Sequence, residues 1–482
     1  MQIEEDAENM RNRTVFLSLL LMLIGMSVEL FTYLCAKVKL QFKNSECARK
    51  VSTNRPRPTW EAENQRISDR NFYRLFRMTR PCFKKLCNRI EKAIGEEEFK
   101  SESYLNRLKS QGHSTRQSSM YIAACNGGRP WIAGEVKVAM TLRMMAGVSY
   151  LHLFLWMNVE PDHSRSIFRH VTRYWICNDD VISINFFDVI KNDKELLKIS
   201  STFGKRSQNI FSGTVGALDG WLVKIRCPTL RECNNPGKYF CRKGFSAINV
   251  QVIVDLQKRV LWRKIGEKGS AHDSPVFHES SLGQFLEYWA SKFEERGLYL
   301  IGDSAYALRS YLLTPYDNAK PGSTEDTFNF FLSSQRIYVE CAFGEIDRRW
   351  GIFWKPLQGS LVNHKYVIDA GLRLHNFIVD FRNEKGDLAT AEEEALDRDE
   401  LDSASDDYQR ENPFETMGAF TAAEMQNFKR RGRLPNKEKE LREKGRSLRD
   451  EIRDKLARKG LSRPKKKKGT ATRDRFNRTI VL

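Results

Sequence analysis

Three acidic residues of this chain stand where a carboxylate needs a reason. Asp219 follows the apolar run Val215–Leu218 and is followed at once by Gly220 (VGALDGWLVKI), and Asp303 has the same setting in YLIGDSAY. Read as strands, both runs close at the Asp, which either turns the chain through its own backbone or is held out as a ligand. Glu340, in SQRIYVECAFGEIDRRW, falls on a helical pattern among Ile337, Cys341 and Phe343. A Glu on a mostly apolar helical surface needs a partner, and a bound cation is one. Glu345 and Asp347, farther along, read as surface charges. Three carboxylates on two strand ends and one helix suit Mg²⁺ or Mn²⁺, hard cations that take oxygen ligands and bridge phosphates. Two such ions about 4 Å apart activate water on one side of a phosphodiester and stabilise the leaving oxygen on the other. No Ser/His/Asp or Cys/His nucleophile pattern and no P-loop competes with this reading.

The elements that must position these groups are strands first and helices after. TVGAL, WLVKIRC, SAINVQVIVDL and VLWRKIG read as consecutive strands, the third with Ile248, Val250, Val252 and Val254 alternating on one face. A helical stretch from Pro275 to Arg296, the short strand LYLIG, a loop rich in Pro, Gly and Ser, and a helix from Ser333 to Arg349 follow. This order predicts a mixed α/β domain with its active face at strand ends. Upstream, residues 64–98 have a helical pattern with Pro81 at a helix start, and Gly112 to Arg129 reads as a loop. Glu135 to Ala146 is a helix ended by Gly147. Ser149 to Trp175 reads as two short helices broken around Glu160–Pro161, with Asp162 or Ser164 capping the second. Such helices are compatible with a helix-turn-helix presenting Arg165, Arg169 and Arg173 on one face to DNA, or with a solvated basic face on a small helical domain.

Length allows two or three domains, and 41% hydrophobic with 29% charged residues is a soluble globular composition. The formal charge of +19 points to a polyanionic partner, but much of it sits at one end. Residues 425–482 hold 22 Lys and Arg against 7 Asp and Glu, whereas 391–411 hold 10 acids and 2 Arg. The ten cysteines form no CxxC pair, which favours reduced thiols in an intracellular protein over a zinc site. Thr14 to Ala36 is about long enough to span a bilayer and contains only Glu29 as a charge. A membrane helix, a buried helix and a wrongly chosen start codon are the three accounts of it. The region KELREKGRSLRDEIRDKLARKG reads as an exposed helix. Arg463–Pro464 with Lys465 to Lys468 reads as a nuclear localisation signal, and FKRRGRLP resembles an AT-hook core.

In order along the chain, GALDGWLVKI, YFCRKGFSAINVQVIVD, GSAHDSPVF, GDSAYALRSYLLTPY, RIYVECAFG and LHNFIVD resemble the DDE nuclease domain of PIF/Harbinger transposases and Harbinger-derived nucleases. The resemblance covers roughly Ile210 to Asp380, with a looser similarity from Glu135 to Trp175. It implies an RNase H-like fold whose catalytic and metal-binding acids match Asp219, Asp303 and Glu340, the last two 37 positions apart. The pair His272–Asp273 matches a family motif, with Asp273 supporting the site or substrate, or else capping a helix. Arg242 and Lys243 match a basic motif that contacts DNA phosphate, or make a turn with solvated charges. The chain departs from the pattern at Trp221–Leu222, where a polar pair including His is frequent, and at Ala305, where Gly is usual. The resemblance further implies DNA and a Myb/SANT-like protein as partners; a homo-oligomer is a separate expectation, and the basic signal at Arg463 to Lys468 points to a nuclear location. Its rivals are a domesticated, non-catalytic binding module and a membrane-tethered hydrolase. The expected organisation is an N-terminal segment 1–63, a helical helix-turn-helix-like domain 64–205, the nuclease domain 206–385 and an acidic then basic tail 386–482.

Overall fold

The computed structural model describes residues 58–95, 132–385 and 435–464. The chain divides into two units after Pro56, and the hydrophobic stretch 14–36, the loop 112–129, the acidic segment 391–411 and Lys465 to Lys468 lie outside the described residues, as does FKRRGRLP up to Leu434. Among the described residues no helix is long and apolar enough to cross a membrane.

A five-stranded mixed sheet forms the centre of the second unit, in the order β3-β2-β1-β4-β5. Strand β1 is Thr214–Lys224, β2 Ala247–Val254, β3 Val260–Lys268, β4 Tyr299–Ile301 and β5 Leu312–Leu313. The first three form an antiparallel meander, and β4 then runs parallel to β1, with β5 parallel to β4. Every residue of β2 is buried, as expected for a central strand covered on both faces.

TVGAL and WLVKIRC are one strand rather than two. Asp219 lies in its interior, paired with Val252, so it does not close a strand as its sequence suggests. Gly220 does not turn the chain: its φ is not positive, and it pairs with Gln251 in the ladder. What ends at this level is the neighbour, because the last β1–β4 pairing joins Ala217 to Ile301.

Helices surround the sheet. They are α1 Trp60–Arg66, α2 Asp69–Phe76, α3 Arg80–Ile94, α4 Gly134–Met145, α5 Tyr150–Met157, α6 Pro161–His170, α7 Phe186–Lys191, α8 Asp193–Arg206, α9 Asp273–His278, α10 Ser281–Tyr288, α11 Ala290–Glu295, α12 Thr324–Arg349, α13 Leu361–Lys385 and α14 Pro435–Arg458. Pro81 sits in the first turn of α3, where its missing N–H costs nothing. The helix α6 begins at Pro161 with Glu160 before it, so neither Asp162 nor Ser164 is its cap. After His170 the chain widens into a π-helical turn, Val171–Ile176. That shift takes Arg173 over the ring of Tyr366 at 4.8 Å, while Arg165 lies over Tyr150 at 3.7 Å. Both guanidinium groups therefore have contacts inside the fold.

Helix α12 starts nine residues before the expected Ser333, because Ser323 caps it by accepting from the Asp326 N–H at 3.1 Å. It packs on β1 and β2, and Trp221 stacks on its Phe343 (5.9 Å) and meets Phe353 edge-on (5.1 Å). The departure at Trp221 is thus a core contact. Behind β3, Arg263 pairs with Asp369 of α13, which also accepts from Arg373 at 2.9 Å, and Arg263 donates to the Ile184 carbonyl at 3.0 Å. Helix α14, expected to be exposed, buries Leu441, Ile452 and Leu456 against α12 and β5. Arg449 stacks over Tyr316 at 3.9 Å, and Arg463 pairs with Asp326 at 2.6 Å. The apolar positions of this charge-rich helix form a narrow stripe that only a docked helix explains.

Candidate active site

Register brings the first two carboxylates to one level. Ala217 of β1 pairs with Ile301 of β4, and Asp219 and Asp303 each lie two residues beyond that pair along the two neighbouring segments. Side chains alternate along a strand, so Asp219 shares its face with Ala217, Trp221 and the cross-strand Val252, the face on which α12 packs. One carboxylate oxygen of Asp219 accepts from the Gly220 N–H at 2.8 Å, and the other from an Nη of Arg336 at 2.9 Å. Both side chains are nearly buried, at 12% and 11% exposure. Burial pushes the Asp219 carboxyl up to about 7 against the pull of Arg336, and the charges of Asp303 and Glu340 push the same way. Asp303 accepts from the Ala305 N–H at 2.9 Å. Its carboxyl is also raised, by burial first, with Asp273 adding and Arg336 and Arg242 pulling down. Ala305 has no positive φ, so the usual Gly is not needed there.

Glu340 lies one turn beyond Arg336 on α12 and acts on Asp219 through its charge. It is exposed, and the apolar setting read from the sequence is not there: Ile337 is 45% exposed and Cys341 half-buried. The buried face is Val339, Ala342, Phe343 and Ile346, which leaves Glu340 at its edge. Glu345 and Asp347, read as surface charges, are instead drawn in. Glu345 pairs with Lys258 from the β2–β3 turn, and although burial opposes it, that ammonium and His375 hold the carboxyl at about 2. Asp347 is buried near the C-terminal end of α12.

Asp273 does not cap its own helix; His272 holds that position, exposed and without a side-chain capping bond. The Asp273 carboxylate accepts instead from the Asn249 amide at 3.1 Å and the Gln251 amide at 3.2 Å, both on β2. These residues lie on the sheet face opposite Asp219, with Gly220 between. A Cβ on Gly220 would come 3.1 Å from the Asp273 oxygen, so the missing side chain is what admits it. The Tyr306 hydroxyl is buried close by, and burial together with Asp273, Asp219 and Asp303 raises its pKa well above the usual value. Arg242 and Lys243 sit in the turn before Gly244, whose φ is 84°; Arg242 is exposed and its charge reaches Asp303.

Four site groups were not singled out from the sequence: Arg336, Asn249, Gln251 and Tyr306. Arg336 stands four positions before Glu340, and the alternation Asn249-x-Gln251 inside an otherwise apolar strand is a signal of buried amides with a partner. Oxygen donors of the right kind for a hard cation are present, but their arrangement does not gather them. Among the described residues no three His, Cys, Asp or Glu side chains converge to hold a metal ion, and both oxygens of Asp219 are engaged.

Residues 218–376 match the sequence family described as DDE superfamily endonuclease. The chain is 27% identical over 203 residues to "Protein ALP1-like" of Arabidopsis thaliana, covering 39% of this chain and 48% of that protein. It is 31% identical over 171 residues to "Putative nuclease HARBI1" of Rattus norvegicus (34% and 45%), and 29% identical over 175 residues to the Mus musculus protein of the same name (35% and 46%). The chain spans about half the length of the curated relatives it matches. No solved structure matches. The resemblance to Harbinger-derived nucleases read from the motifs is borne out, and these similarities support a nuclease or transposase-derived function.

Proposed function

From the premise that residues 218–376 are similar to DDE superfamily endonucleases, we propose that this chain is a metal-dependent DNA endonuclease of transposase descent. Asp219, Asp303 and Glu340 are its catalytic acids and metal ligands in this reading. The observation that carries it is the shared register of Asp219 and Asp303 beyond the Ala217–Ile301 pair, with Glu340 supplied by the helix packed over the same face. A strand order of 3-2-1-4-5 with β4 parallel to β1 supports an RNase H-like fold. Magnesium or manganese, when bound, supplies the charge that activates water and stabilises the leaving oxygen of a phosphodiester.

The chain's own residues do the rest. Asn249 and Gln251 fix Asp273 against Gly220, and Asp273 in turn keeps negative charge near Asp303. Arg242 and Lys243, with His272 nearby in sequence to Asp273, offer a rim for DNA phosphate. Helices α5 and α6 serve as a helix-turn-helix arm toward DNA or a Myb/SANT-like partner, and the basic C-terminal segment directs the protein to the nucleus. A homo-oligomer fits the same descent.

Nicking of a terminal-repeat duplex with Mg²⁺ or Mn²⁺ tests the proposal. Activity in the parent chain that Asp303→Asn abolishes, with DNA binding retained, supports the enzyme; activity indifferent to that change sinks it. The pairing of Arg336 with Asp219 favours one second reading, a domesticated DNA-binding module without catalysis. A chain that binds the duplex but never nicks it supports that reading.

A further inference from the structure

We propose that Arg336 is a resident counter-cation that keeps divalent metal off Asp219 until a DNA phosphate draws the guanidinium away. This rests on the functional reading above and adds to it a regulation of the same site. An ion at Asp219 must approach one of its two carboxylate oxygens, and a guanidinium bound to that oxygen repels it. One is held by the Gly220 N–H, which belongs to the β1 backbone and cannot withdraw, and the other by Arg336. Only the second can be exchanged. A side chain can leave; a strand backbone cannot.

The site gives Arg336 a reason to stay and a reason to go. Asp219 and Asp303 are both drawn from water near each other, and a positive charge must compensate them. Arg336 acts on both, so it does in the metal-free chain what a metal does in the loaded one. Yet its Nε is buried and has no acceptor among the described residues. A buried donor left unmade costs free energy, and a phosphate oxygen would satisfy it. Guanidinium takes phosphate through two parallel N–H groups, a stronger arrangement than its single bond to Asp219. Phosphate that draws Arg336 outward uncovers the Asp219 oxygen and removes the fixed cation whose charge acts on Asp219 and Asp303, with Glu340 one turn along the same helix. Substrate then licenses metal, and metal does not load at random.

Manganese titration of the full chain, read by the loss of the free-ion electron paramagnetic resonance signal, tests this without any turnover. Arg336→Gln is expected to bind Mn²⁺ about tenfold more tightly than the parent in the absence of DNA, a typical coupling between two competing sites. Arg336→Lys, which keeps the charge, should stay near the parent. Adding a short duplex, with its own Mn²⁺ uptake subtracted, should tighten binding to the parent chain and leave Arg336→Gln nearly unchanged. That comparison in the parent needs no variant to fold; melting curves monitor the variants. Equal Mn²⁺ affinity in the parent and Arg336→Gln, abolished by Asp219→Asn and unmoved by duplex, overturns the inference while the metal site stands. No Mn²⁺ binding by parent or Arg336→Gln, with or without duplex, overturns the metal site and the inference with it.

Discussion

Gly220 shows how much a single missing methyl can decide. On one side of it the backbone N–H holds Asp219, and on the other its bare Cα admits the oxygen of Asp273, which two β2 amides hold in place. Gly220→Ala puts a Cβ 3.1 Å from that oxygen, tighter than ordinary contact. Overpacking of this kind costs roughly 1–3 kcal/mol, and here it falls on a carboxylate that cannot move without breaking its amide bonds. We expect Gly220→Ala to fold, to lose about 1–2 kcal/mol in urea unfolding, and to lose most of its nicking. Full activity in that variant would show that the position of Asp273 is immaterial. Asp219 teaches a related point: Gly220 is visible in the local string but Arg336, which holds the other carboxylate oxygen, is not.

At the scale of elements, two helices carry the argument. Helix α12 spans 26 residues, presents Phe343 to Trp221, and delivers Arg336 and Glu340 to one end of the sheet and Glu345 to the turn at Lys258. Helix α14 lies along β5, the edge of the sheet, which would otherwise expose backbone groups. Its attachment is apolar at Leu441, Ile452 and Leu456 and polar at Arg449 and Arg463. Leu456 is buried to 1% exposure, so Leu456→Ala should destabilise the chain by about 2–4 kcal/mol, the ordinary result of emptying a core leucine site. An exposed helix would give almost no change, and urea unfolding distinguishes the two. Proteolysis near residue 435 should also become faster in the variant.

For the whole molecule, the interior is rich in titratable groups, and this makes its stability depend on pH in a directed way. His375 of α13 is buried, donates to the Lys258 carbonyl at 2.8 Å, and burial lowers its pKa to about 4. The folded chain therefore keeps it neutral while the unfolded chain protonates it near its ordinary value of 6.5. A lowered imidazole contributes stability that is present above the unfolded pKa and is lost as pH falls toward the folded one. Asp255, raised by burial to about 6, works in the opposite direction over part of that range, so the parent alone does not isolate the effect. Compared with the parent, His375→Gln should gain on the order of 3 kcal/mol between pH 7 and pH 4. A gap that stays constant across that range would mean that His375 remains protonatable in the folded state. The Arg263–Asp369–Arg373 group ties β3 to α13 over the same core, and removing one partner of such a buried set is far more damaging than exchanging all of it for apolar residues.

Local chemistry made much of this readable in advance. Alternation gave β2, Pro81 the start of α3, and the string of motifs the nuclease family, because each rests on residues near in sequence. The strand–Asp–small pattern read Asp219 and Asp303 as strand ends; the two acids do share a level beyond the Ala217–Ile301 pair, but Asp219 lies inside its strand, and Gly220 admits Asp273 and does not turn the chain. Glu340 stands out in the sequence for apolar surroundings that the fold does not give it, and the partner of Glu345 is hidden because Lys258 is 87 residues away. What the sequence carries is the identity of the carboxylates and the order of the elements, since propensity, periodicity and motif spacing are local. What tertiary structure alone decides is the register of β1 against β4, the face each acid takes, and the guanidinium that meets Asp219. Those depend on pairings far apart in sequence, from Ala217 with Ile301 to Arg336 with Asp219 at a separation of 117, and no local pattern encodes which long-range partner neutralises a buried charge.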